Sequence, residues 1–166
     1  MTTGTPYPKT VDVDKIKGLG EWRALYQAYN AVFKLQELAL ISQGISLPQL
    51  QLLGLLAMEQ RPLAISELAI WMVKEPNSLT GLVDRAEAKG WVHTHGDPKD
   101  RRKRLVEFTE AGVRKFEEAF NLSNKVAGKI FGNLSASELS QLRASCQKVR
   151  DAALGEMRNR PGFKVR

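Results

Sequence analysis

The chain carries one cysteine in 166 residues, Cys146, so no intramolecular disulfide can staple it. It has two histidines, no Gly-rich phosphate loop and no Ser–His–Asp set, which leaves catalysis without candidates. Acidic residues are in short supply: 18 Asp+Glu against 25 Lys+Arg leaves a net charge of +7, and a surface of that sign draws polyanions. Charge alone does not choose between nucleic acid and an anionic membrane. No apolar run approaches the roughly 18 residues of a bilayer span; the longest lies around Leu52 to Met58. The opening MTTGTPYPKT lacks the apolar centre of a signal peptide. These absences predict a cytoplasmic protein without enzymatic activity, cofactor, metal or membrane partner. What is present is ordinary: a hydrophobic fraction of 43% is enough for one domain with a real core.

Residues 1–18 have no periodicity and read as a flexible N-terminal arm. From Glu21, apolar residues (Trp22, Leu25, Tyr29, Val32, Phe33, Leu40) recur at helical spacing, and Gln43-Gly44 suits a helix end. Ser46-Leu47-Pro48-Gln49 is a helix start, and Leu50, Leu53, Leu56 and Ala57 point inward from that helix. After Arg61-Pro62, Ser66-Glu67 caps a short helix that ends near Met72; Glu75-Pro76-Asn77-Ser78 opens the next, which runs to Gly90. Met58, Trp71 and Met72 read as core. Residues 91–95 form a strand, and Leu105-Val106-Glu107-Phe108 forms its partner, with Val106 and Phe108 on one face. Thr109-Glu110 begins a long helix with the stripe Val113, Phe116, Phe120, Ala127, Ile130 and Phe131. Ser135-Ala136-Ser137-Glu138 is a capping box for the last helix, whose seam is Leu139, Leu142, Cys146, Val149 and Ala153. Cys146 sits on that stripe and is expected to be a buried thiol. Residues 158–166 form a basic tail.

Between the two strands lies the densest charge in the chain. Gly96-Asp97-Pro98 signals a turn, and Lys99, Arg101, Arg102, Lys103 and Arg104 then surround a single acid, Asp100. A solvated charged loop and a probe for phosphate are equally good readings of this run by itself. Its position after two short helices decides the matter, because helix–turn–helix plus basic hairpin is a winged helix. The predicted fold is therefore mainly α: about six helices and a two-stranded β wing. The helix in 19–45 and the helices in 113–157 flank a DNA-binding region at 46–112, and their apolar stripes call for a symmetric partner.

Ser66-Glu67-Leu68-Ala69, Ser78-Leu79-Thr80-Gly81-Leu82-Val83-Asp84-Arg85 and Lys89-Gly90-Trp91-Val92 resemble the MarR (multiple antibiotic resistance regulator) family of winged-helix transcription factors. The most specific piece is Asp97-Pro98-Lys99-Asp100-Arg101-Arg102, followed by Phe108-Thr109-Glu110-Ala111-Gly112. Two departures stand out: Thr94 where many relatives carry Arg, and Ala86 where Leu is usual.

The resemblance implies a homodimeric repressor on double-stranded DNA, with an inverted-repeat operator and release by a small-molecule effector. The recognition helix would enter the major groove by its N-terminal end with Asn77, Ser78 and Thr80, while Gly81 allows close approach. Arg85 would reach a phosphate or base edge, or pair with Asp84 or Glu87. Arg102 would lie in the minor groove, held by Asp100, with Lys99, Arg101, Lys103 and Arg104 around it as phosphate contacts. An effector would sit between the DNA lobe and the dimer helices, with Trp22, Tyr26, Tyr29, Phe33 and Trp71 as candidate walls; core filling is the competing role for these five. His93 and His95 share a strand face and approach Asp97, but two histidines without a third close ligand make a weak metal site. A nonspecific architectural DNA binder and a winged-helix protein-interaction adaptor are the alternative functions.

Overall fold

The computed structural model describes residues 15–100 and 102–158. The predicted arm therefore lies outside the described residues up to position 14, as do Arg101 and the tail beyond Arg158.

Six helices and three short strands follow in the order α1 (Leu19–Leu40), α2 (Leu47–Glu59), β1 (Leu63–Ala64), α3 (Ile65–Met72), α4 (Pro76–Ala88), β2 (Val92–Gly96), β3 (Arg104–Phe108), α5 (Glu110–Phe131) and α6 (Ala136–Arg158). The starts follow local chemistry. At α2, Ser46 accepts from the Gln49 backbone N–H, while the Gln49 side chain accepts from the Ser46 N–H at 3.1 Å. Ser135 and Glu138 make the same reciprocal pair ahead of α6. Before α2 the chain reverses through a 3-10 turn closed by Gly44, at φ 62°.

Helix α3 starts differently from the prediction. Its cap position is Ala64, not Ser66, and Glu67 reaches back to accept the Ala64 N–H at 2.8 Å. The acid does the capping from the third turn position, and Arg61 holds it by an ion pair at 2.8 Å. That guanidinium keeps the Glu67 carboxyl below its usual range.

The wing carries a third strand that the sequence pattern did not reveal. β3 is central, pairing antiparallel with β2 over five positions and with β1 over two, Leu63 opposite Val106 and Ala64 opposite Leu105. Two residues are too few to show any periodicity, and Leu63 is fully buried because β3 has a core edge to offer it.

One core runs through the lobe. Leu50, Leu52, Leu53 and Leu56 of α2 meet Leu68 of α3, Leu79, Leu82, Val83 and Ala86 of α4, and Val92 and Val106 of the sheet. Ala86 is fully buried, so the smaller side chain lets α4 sit close to its neighbours. Several expected core residues lie outside it. Met58 is 73% exposed and Trp71 57%, and Ala57 is only half-buried. Cys146 is exposed, because α6 buries no residue in the single chain.

Helix α1 packs on α5 and α2, and Gln36 and Ser123 share a hydrogen bond between the two long helices. The outward faces of α1 and α6 remain bare: Trp22, Tyr26, Leu38, Leu142 and Val149 are all exposed.

Candidate nucleic-acid interface

Helices α3 and α4 meet across a turn at Val73, which adopts φ 50°. A β-branched residue is strained there, and the turn is held by Val73 N–H to Ile70 O at 3.2 Å and Lys74 N–H to Ala69 O at 3.0 Å. Helix α4 then opens with Pro76 in its first turn and no side-chain cap, since Glu75 at the cap position makes no hydrogen bond to it. Uncapped first-turn N–H groups at the positive end of a helix dipole form a natural anion site. Asn77 and Ser78 are exposed at this end and Thr80 and Gly81 half-exposed. The Thr80 hydroxyl donates to Pro76 O at 3.0 Å, which leaves its lone pairs outward. Leu79, Leu82 and Val83, on the other face, anchor the helix in the core.

The hairpin tip is built by backbone and carboxylate bonds. Asp97 accepts the Lys99 N–H at 2.7 Å, Lys103 N–H donates to Asp100 O at 2.8 Å, and Asp97 N–H donates to Lys103 O at 3.1 Å. Asp100 Oδ1 accepts both the backbone N–H of Arg102 at 3.1 Å and its Nε at 3.2 Å. Those two bonds hold the Asp100 carboxyl below its ordinary range. The Arg102 side chain is otherwise 92% exposed, so one edge of the guanidinium is fixed and the other faces solvent. The contact expected between Asp100 and Arg102 is present. Thr80 from α4 lines a cleft of about 300 Å³ together with Ser66, Arg102 and Lys103, so helix end and wing tip border the same space.

Arg104 makes contacts that the charge run does not reveal. It turns back from the wing, donating to Asp84 at 2.7 Å, to Glu87 at 2.8 Å and, through Nε, to the Thr94 hydroxyl at 3.0 Å. Thr94 in turn donates its N–H and hydroxyl to Glu87 at 2.7 and 2.8 Å. The Thr94 bonds first, then Arg104, lower the Glu87 carboxyl; Asp84 and Glu87 raise Arg104. So Thr94, absent as an arginine, is a link that ties β2 to α4. The acids that sequence reading offered to Arg85 belong to Arg104, and Arg85 stands exposed with no ion pair among the described residues. Register explains the miss: β3 brings Arg104 opposite Gly96, twenty residues from Asp84.

At the base of the wing the Thr109-to-Gly112 step welds lobe to helix. The Thr109 hydroxyl donates to Gly90 O at 2.6 Å and accepts the Gly112 N–H at 3.0 Å, while Thr109 N–H donates to Trp91 O at 3.1 Å. A Cβ on Gly112 would lie 1.8 Å from Trp91 O, so no other residue fits without moving backbone.

The predicted ligand walls divide. Tyr29, Phe33 and Trp71 line an apolar cleft of about 670 Å³ with Leu55, Met58 and Phe120; Trp22 and Tyr26 are not among its walls. Four of the five aromatic residues are exposed, so in the single chain they do not fill the core. Around the histidines, the third neighbour is Glu107, directly opposite His93 across the strands, and not Asp97.

A helix–turn–helix whose second helix is braced to a basic antiparallel hairpin defines a winged-helix DNA-binding protein. No family model matches the chain. A transcriptional repressor of Bacillus subtilis, MdtR, is 30% identical over 111 residues, which cover 67% of this chain and 71% of the repressor. The transcriptional activatory protein BadR of Rhodopseudomonas palustris is 28% identical over 145 residues, 80% of this chain and 81% of BadR. A mutant MarR from E. coli, solved in complex with operator DNA, superposes with a TM-score of 0.75 at 25% identity, covering 84% of this chain and 99% of that one. The chain belongs to the MarR family of transcriptional regulators.

Proposed function

We propose that this regulator is a homodimeric repressor that binds an inverted-repeat operator, α4 in the major groove and the wing in the adjacent minor groove. The observation that carries the reading is the shared cleft, which Thr80, in the first turns of the uncapped α4, lines together with the exposed Arg102 of the wing. Asn77, Ser78 and Thr80 offer short donors and acceptors to base edges, and Asn is able to bond adenine through two atoms. Gly81 lets the helix backbone come close. Arg102, aimed by Asp100, suits a narrow groove of strong negative potential. Lys99, Lys103, Arg85 and the neighbouring Arg101 add phosphate contacts, whereas Arg104 sets the wing's angle to the helix.

The bare aromatic and leucine faces of α1 and α6 support dimerisation, since a stable interface buries on the order of 1,600 Å² and these faces are its natural source. Two copies then present two recognition helices about 34 Å apart, one turn of duplex. Repression is the simpler outcome of such a clamp on a promoter and matches the description of MdtR; BadR, described as activatory, sets the alternative. The apolar cleft beside Tyr29, Phe33 and Trp71 lies between α1, α2, α3 and α5, where an aromatic or lipophilic effector would bias the spacing of the two lobes.

Selection of bound sequences from random DNA by the purified protein tests this. An inverted repeat with half-sites one helical turn apart is expected, with affinity falling steeply as salt rises. Enrichment of no motif, with equal competition by unrelated DNA, would instead make the protein a nonspecific architectural binder. Transcription from a template carrying the selected site then separates repression from activation.

A further inference from the structure

We propose that His93, His95 and Glu107 form a binding site for a divalent transition-metal ion, with Zn²⁺ as the reference cation, on the outer face of the wing hairpin. Strand geometry assembles it. His93 and His95 are two apart on β2 and so share a face, and the register sets Glu107 of β3 directly opposite His93. Glu107 Oε2 lies 3.3 Å from His93 Nε2 and 3.5 Å from His95 Nε2. One ligand atom from each residue falls within 4.8 Å of the other two. In a tetrahedral zinc site with bonds of about 2.0–2.1 Å, ligand atoms are roughly 3.4 Å apart. Two of the three edges therefore already have coordination length, and only the edge between the two imidazoles has to be set by rotation of the rings, which stack with centroids 5.7 Å apart.

A second observation concerns the imidazole of His95. Its Nδ1 lies 3.2 Å from the Gly96 carbonyl oxygen, which can accept only from a protonated nitrogen. In the tautomer that donates this bond, Nε2 is the bare nitrogen open to an ion, the arrangement by which outer partners orient metal-bound histidines. Two imidazoles and one carboxylate select a borderline ion such as zinc over magnesium or calcium, which prefer oxygen alone. The side chains are 52%, 38% and 45% exposed, so an ion enters from solvent and keeps water in its fourth position. Metal would cross-link β2 to β3 below the tip that carries Arg102. The site depends on hairpin register and stands apart from the DNA-binding reading.

Metal-free, untagged full-length protein titrated with Zn²⁺ by calorimetry, and with Co²⁺ by visible absorption, tests it. One ion per chain is expected, with a Co²⁺ spectrum of low coordination number. His93→Ala, His95→Ala and Glu107→Gln should each weaken binding about tenfold or more, while Cys146→Ser leaves it unchanged. His93 and Cys146 are exposed, His95 and Glu107 half-buried, and circular dichroism checks the fold. Absence of stoichiometric binding, full binding in the His93→Ala/His95→Ala double variant, or loss of binding with Cys146→Ser overturns the proposal.

Discussion

The lobe from α2 to β3 and the long helices α1 and α6 solve the same problem in opposite ways. The lobe buries Leu52, Leu53, Leu68, Leu79, Val83, Val92 and Val106 within one chain, each at 2% exposure or less. The helices leave Trp22 at 58%, Tyr29 at 58% and Val149 at 54%. Apolar periodicity is as clear in the second region as in the first. What differs is the supply of partners: the lobe has strands and helices arriving from several directions, whereas α6 buries none of its residues among the described part of the chain. A stripe on a helix calls for something to cover it, and the dimer proposed above assigns that role on α1 and α6 to a second copy.

The sharpest test of this division is Gly112→Ala, at the weld between the two regions. The new Cβ meets a backbone oxygen at 1.8 Å, so either α5 or β2 must shift; a loss of roughly 3 kcal/mol or more is expected in urea unfolding. A loss under about 1 kcal/mol would mean the weld is soft. Next in size, Leu142→Glu with Val149→Glu places charge on the bare face of α6. Sedimentation should show monomer at concentrations where the parent is a dimer, with the lobe still folded by amide exchange. An intact dimer would move the interface elsewhere.

Arg102→Ala should leave unfolding unchanged, since its side chain is 92% exposed. It should cost on the order of 1–2 kcal/mol of DNA affinity per half-site. Unchanged mobility shifts at moderate salt would remove Arg102 from the interface. Glu87→Gln probes the brace between wing and helix. Because bonds from Thr94 and Arg104 lower the Glu87 carboxyl in the folded chain, its contribution is fully present above the unfolded value near 4.5 and fades as pH falls below it. The stability gap between parent and variant should therefore close on acidification through that range; a gap independent of pH would place the effect in packing. The smallest change is Val73→Gly, which relieves φ 50° on a β-branched residue. A gain of about 1 kcal/mol is expected in thermal unfolding, and a loss would show that the Val73 side chain packs usefully.

The sequence revealed much of this fold because helix boundaries are decided locally. Ser46 with Gln49, Thr109 with Gly112 and Ser135 with Glu138 are bonds between residues three apart, and each was legible in the order of residue types. The Asp100–Arg102 contact spans two residues and was equally readable. Errors appeared where the partner came from far along the chain. Ser66 was the better cap by residue type, yet a strand at Leu63–Ala64 fixed the helix start earlier and left the capping to Glu67. The ion pairs of Arg104 with Asp84 and Glu87 were hidden for the same reason, because strand register brings them together across twenty and seventeen residues.

By itself, then, the sequence determined the helix order, the position of the wing, the basic tip and the family, because these rest on caps, turns and periodicities that act over three or four residues. Tertiary structure decided that Arg104 pairs with Asp84 and Glu87, why Gly112 admits no side chain, which aromatic residues wall a cleft, and that Glu107 rather than Asp97 stands with the histidines. Those outcomes depend on strand register and on side chains meeting across long separations, and no local pattern encodes such a meeting.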